Sequence, residues 1–109
     1  MGAEMVEVSS RIEVYRRMKR IDPDEGAVYV TVAIYGMVVF SRDDGREHET
    51  PVITVAYTRR IRLGESFWRD LERFEDELQR RIEQVERDLE EFRCEIAELV
   101  RRGILPDFD

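Results

Sequence analysis

Near the end of the chain, apolar residues recur at gaps that alternate between four and three: Leu78, Ile82, Val85, Leu89, Phe92, Ile96 and Leu99. The pattern is a heptad seam, with Ile82, Leu89 and Ile96 at position a and Leu78, Val85, Phe92 and Leu99 at position d. A helix cannot bury so narrow a stripe against itself, so the seam predicts a partner helix and a dimer or higher oligomer. Function is then to be sought in whatever the helix is attached to.

That helix is expected to begin after Ser66 as N-cap and to stop at Gly103, with Arg101 and Arg102 in the last turn, where cations suit the macrodipole. At 1.5 Å per residue it spans about 55 Å, which reads as too long for a small sheet to cover. Its first turns carry Phe67, Leu71 and Phe74, with Trp68 beside them, and Glu75 occupies the a position that would extend the seam backwards. The expectation is a handover: the aromatic turns pack on the sheet of their own subunit, and residues 78–102 pair with a second helix. In a parallel pair Arg81 meets Glu86 and Asp88 meets Arg93, both favourable.

The preceding region is strand-rich. Ala27–Ser41 is dense in Val, Ile and Tyr, with Val28, Val30, Val32, Ile34, Val38 and Phe40 on one face and Tyr29, Thr31, Ala33, Tyr35 and Met37 on the other. Pro51–Leu63 forms the next strand, with Ile53, Val55, Tyr57, Ile61 and Leu63 on its apolar face, interrupted by Arg59. Asp43-Asp44-Gly45 lies in a loop between them, and Ile21 to Gly26 is a turn. Residues 5–20 admit two readings. Val6, Val8, Ile12, Val14 and Met18 alternate as in a strand, while Ser10 and Glu13 form a capping box before a helical spacing. The strand is preferred. The fold class expected is α+β: an antiparallel sheet domain over residues 1–65, a long helix over 66–103, and a tail over 104–109 in which Ile104 and Leu105 cover the end of the coil.

The net charge of −7 hides an uneven distribution. Residues 1–62 balance ten cations against ten anions, so the excess acid belongs to the helix. Residues 11–20 hold Arg11, Arg16, Arg17, Lys19 and Arg20 against Glu13, and Arg59, Arg60 and Arg62 form a second cluster. There is no Asn, and Gln occurs at positions 79 and 84, a scarcity of thermolabile amides that fits a thermophilic source. Neither a signal sequence nor an apolar span is evident, and Cys94 is alone, so an intracellular, cytoplasmic protein is expected.

The residues argue against catalysis. His48 stands alone in an acidic loop, no Cys pair or triad is available, and no Gly-rich phosphate loop occurs, so no enzyme activity, cofactor or metal is expected. Burying the more apolar face of each strand gathers Tyr15, Arg17, Lys19, Tyr29, Tyr35, Met37, Thr54, Thr58, Arg60 and Arg62 on the opposite face. Aromatic rings stack bases and cations neutralise phosphates, so this face is the candidate surface for single-stranded nucleic acid.

At these residues the chain resembles a family. A strand-rich domain over residues 27–63, with the basic and aromatic residues just named, followed by the zipper from Leu78 to Leu99, is similar to ThermoDBP and its related proteins. These are single-stranded DNA-binding proteins of thermophilic archaea. The resemblance implies binding of single-stranded DNA, with RNA open, without strong sequence preference, in a cleft on the sheet domain, and dimerisation through the zipper. The alternative reading is a coiled-coil adaptor or chaperone-like assembly module that uses its sheet to bind protein.

Overall fold

The computed structural model describes residues 5–104. Strand propensity and alternation carry residues 6–22 into the sheet: β1 spans Val6–Asp22, β2 Ala27–Arg42 and β3 Glu47–Arg62, and the helix α1 spans Phe67–Arg101. The strands form an antiparallel meander in the order β1-β2-β3. The strand reading of the first segment therefore holds over the capping-box reading. β3 starts earlier than the sequence predicts, so His48 lies in a strand opposite Phe40 rather than in a loop. The connections have the expected turn chemistry. Asp22 accepts a hydrogen bond from the Glu25 amide at 3.2 Å, and Asp44 accepts one from the Arg46 amide at 3.0 Å.

Both helix ends lie where the sequence places them. At the C-terminus Gly103 adopts φ 90°, its amide donates to the Val100 carbonyl, and the Ile104 amide donates to the Leu99 carbonyl. These paired bonds are a Schellman motif, which needs the left-handed conformation that glycine adopts without strain. At the N-terminus Ser66 precedes the first helical residue but makes no side-chain cap. Its hydroxyl donates instead to the Asp70 carboxylate at 2.9 Å.

The heptad stripe packs on the chain's own sheet. Leu78, Val85 and Leu89 are 4%, 3% and 2% exposed, and with Phe74 they cover Val28, Val32, Ile34, Val38, Phe40 and Ile61. Ile82 and Ile96 pack partly buried against the same clusters, while Phe92 and Leu99 remain exposed. The expected handover at Leu78 is thus corrected, since the sheet covers the central seam residues and leaves them no surface for a partner helix. The reason is length. Strands of 16–17 residues reach about 55 Å, which matches a helix of 35 residues at about 52 Å. A stripe of period 3.5 also drifts by about 20° per heptad around a straight helix. The contact moves with it, from Ile61 and Tyr57 beneath Phe74 to Val6 and Val8 beside Ile96 and Val100.

Glu75 needs no partner chain, because it forms an ion pair with Arg16 of β1. Arg59, the cation that interrupts the apolar face of β3, reaches Glu77 at 2.5 Å on the other flank of the helix. Two ion pairs on opposite sides thus centre α1 over β2. The sheet and helix share one core, so β1–β3 and α1 are two layers of one unit. The tail expectation concerning Leu105 falls outside the described residues, and Ile104 is exposed.

Candidate nucleic-acid interface

With the even residues of β2 turned toward α1, its odd residues form the opposite face of the sheet. Each neighbour follows by register. Tyr15 pairs with Ala33 and Arg17 with Thr31 on the β1 side, while Thr54 pairs with Tyr35, Thr58 with Thr31 and Arg60 with Tyr29 on the β3 side. Arg62 closes the row opposite Ala27. The face assignments made from apolar patterning are therefore observed for β2 and β3, and for β1 as far as Met18.

The centre of this face is an open depression of about 460 Å³ lined by Tyr15, Arg16, Arg17, Thr31, Ala33 and Tyr35. Its small floor residues, Ala33 and Thr31, are flanked by Tyr15 and Tyr35, whose rings meet edge to face at 5.8 Å and 72°. The Tyr15 hydroxyl donates to Glu13 at 2.9 Å, and this bond, with the Glu13 charge, raises the Tyr15 pKa above its usual value. Tyr15 therefore stays neutral, with its ring held in place at the rim. Thr31 and Thr58 share a hydrogen bond at 3.2 Å beyond the depression.

Charge divides the face along the strands. Toward the β1–β2 turn stand Arg17, Arg20, Arg60 and Arg62, with Tyr29 between Arg20 and Arg60. The Arg20 guanidinium lies 5.8 Å from the Tyr29 ring centroid, and Arg60 pairs with Glu25 at 3.1 Å. Arg17 and Arg62 make no ion pair among the described residues. Toward the other end stand Glu7, Glu13, Glu47 and Glu49. There Arg11 forms ion pairs with Glu13 at 3.0 Å and with Glu49. Since Arg11 is on β1 and Glu49 on β3, that pair crosses above β2 beside Met37 and Val39.

The predicted residues are thus brought together unequally. Arg17, Tyr29, Arg60 and Arg62 share the basic half of the face, and Tyr15 and Tyr35 stand at its boundary beside Glu13. Met37 lies on the same face but apart, between Arg11 and Pro51 at the acidic end. Lys19 sits where the β1 register slips, and its side chain is outside the described set. Patterning missed Arg20. Strict alternation places it on the helix side, yet the irregularity between Met18 and Arg20 returns it to the open face opposite Tyr29. The signal was present in the sequence, because Met18 and Ile21 are apolar residues three apart in a segment otherwise of period two.

In chemical terms this stretch offers three phenol rings and four guanidinium groups over the length from Ala27 to Tyr35, about 26 Å of strand. Compared with known proteins, the chain matches no family model, no curated protein and no solved structure.

Proposed function

We propose that the chain binds single-stranded nucleic acid on the open face of its sheet, with Tyr15, Tyr29 and Tyr35 stacking bases and Arg17, Arg20, Arg60 and Arg62 holding phosphates. The observation that carries this reading is the run of cations from Arg62 to Arg17 that leads to the Tyr15 and Tyr35 rings at the centre of a face that α1 does not cover. The acidic residues elsewhere support a defined path. Helix α1 and the end of the sheet with Glu7, Glu47 and Glu49 repel a polyanion, which leaves the basic half as its route. Stacking is tolerant of sequence because every base has a π face.

The test is fluorescence anisotropy with an oligo-dT strand at two salt concentrations. Binding is expected to weaken steeply with salt. Tyr35→Ala is expected to cost about 1–3 kcal/mol of affinity, roughly 5- to 150-fold. Arg17→Ala and Arg62→Ala are expected to reduce the salt dependence more than Arg60→Ala, since Arg60 is already paired with Glu25. Binding that is absent, or unchanged by salt and by Tyr35→Ala, removes the reading and leaves the open face as a protein-docking surface.

A further inference from the structure

Among the described residues the outer edge of β1 is unpaired, and three apolar residues on its helix side stay exposed beside it. Among the described residues no strand pairs with β1 beyond β2. On the side of the sheet that carries α1, Val14, Met18 and Ile21 of this edge are exposed, the latter two by 55% and 59%. Trp68, at the start of α1, is 75% exposed. The two edges of the sheet differ in kind. β3 contains Pro51, and its register slips between Ile53 and Pro51, which are features that block strand addition. β1 holds no proline and keeps a regular register from Val6 to Met18.

We propose that β1 pairs antiparallel with β1 of a second copy, centred on Ile12, to make a continuous six-stranded sheet. A two-fold axis normal to the sheet keeps each face on its own side, so odd residues meet odd and even meet even. Centring on Ile12 sets Glu7 opposite the partner copy's Arg17 and Arg11 opposite the partner copy's Glu13, each twice by symmetry. Moving the centre to Arg11 or to Glu13 places two like charges directly against each other on the axis. Among the described residues neither Glu7 nor Arg17 has an ion-pair partner within the chain, and both are exposed.

The limits of the strand select the same centre. The regular segment runs from Val6 to Met18, and its midpoint is Ile12. The slip after Met18 ends the pairing where the partner copy's Val6 is reached. On the helix side Met18 then packs against the partner copy's Val6 and Val14 beside its Ser10. In each copy Val6 and Val8 of β1 and Ile96 and Val100 in the last turns of α1 pack on one cluster, Val38, Phe40 and Leu89. Those turns arrive next to the exposed Met18 and Ile21 of the other copy, and the two helices end on one side of the joined sheet. This interface needs no nucleic acid to form and is independent of the binding face.

The test is sedimentation velocity and light scattering on the full chain without nucleic acid, over a range of concentrations. The expected particle has twice the 13.0 kDa chain mass. Arg17→Glu is expected to weaken association about tenfold or more by setting it against Glu7, and the double variant Glu7→Arg, Arg17→Glu to restore it. Far-UV circular dichroism checks that each variant is folded, and Glu7→Lys takes the place of Arg17→Glu should the latter not fold. A monomer at every concentration overturns the proposal. So does a dimer indifferent to the single reversals, as one formed through α1 would be, or a single-variant loss that the double variant does not repair.

Discussion

Tyr57 shows how a single side chain is held between the two layers. It points from β3 toward α1, with the Phe74 ring edge-on at 6.1 Å and the Arg81 guanidinium 4.4 Å from its own ring centroid. Its hydroxyl oxygen is buried and has no hydrogen-bond partner among the described residues. Burial is the main cause that lifts its pKa above the ordinary 10.0, ahead of Arg81, which lowers it. A folded-state pKa above the unfolded one contributes stability that is present below about pH 10 and lost as pH rises through the folded value. Tyr57→Phe keeps the ring and its contacts while removing an unsatisfied polar atom. We expect it to leave stability equal or higher by up to about 1 kcal/mol at neutral pH, and to flatten the alkaline limb of a urea-unfolding series. A loss of stability at neutral pH would mean that the hydroxyl has a partner after all. The apolar side of β3 was legible because Ile53, Val55 and Ile61 alternate. Arg59 fitted poorly there because the sequence does not reveal that Glu77 lies within reach across the sheet.

At the scale of elements, α1 packs tightly on the sheet at Gly36, a buried residue on the core face of β2. A Cβ at this position would meet Ile53 at 3.3 Å and Leu89 and Val85 at 3.4 Å. Larger side chains must therefore push the helix away or displace Leu89 and Val85. Gly36→Val is expected to destabilise by about 1–3 kcal/mol through overpacking, read as a fall of roughly 4–8 °C in Tm for each kcal/mol in a domain of this size. Leu89→Ala, on the facing side of the contact, leaves a void and is expected to cost about 2–5 kcal/mol. The slip in β1 makes a different prediction. Met18 pairs with Val30 and Arg20 with Tyr29, so Lys19 is the extra residue. Deleting Lys19 restores strict alternation and leaves Arg20 and Ile21 on the faces they now occupy. The deletion is expected to fold, with a melting temperature within a few degrees of the parent. A one-residue deletion at Val14 turns every side chain before it to the other face, and is expected not to fold. Strand identity was readable from the density of β-branched and aromatic residues. The slip was not assigned, because two apolar residues three apart also fit one turn of helix.

In the whole molecule the lesson of the heptad stripe is about competition between partners. The stripe was legible to the residue, but its partner was not, because a long helix and a long sheet offer the same apolar length. The Cα extents of 68 × 24 × 16 Å describe a slab two layers thick. Its core is built from β2 and α1 with Ile61 of β3, and both edge strands are half covered by a helix of about 10 Å diameter. Such a core has no division between sheet and helix. Removing α1 exposes Val28, Val32, Ile34, Val38 and Phe40 of the central strand, and a three-stranded sheet with one bare apolar face has nothing else among the described residues to cover it. A fragment ending at residue 65 is therefore expected to be unfolded or aggregated as judged by circular dichroism and amide NMR dispersion. A separate peptide of residues 66–104 added in trans is expected to restore a dispersed spectrum with one-to-one stoichiometry. The peptide alone is expected to show little helix, because its stability comes from packing on the sheet rather than from its own propensity. If the fragment ending at residue 65 folds unaided, or if the helix peptide self-associates into a stable coil in its absence, the apolar stripe belongs to a partner helix and the shared core does not describe the protein in solution.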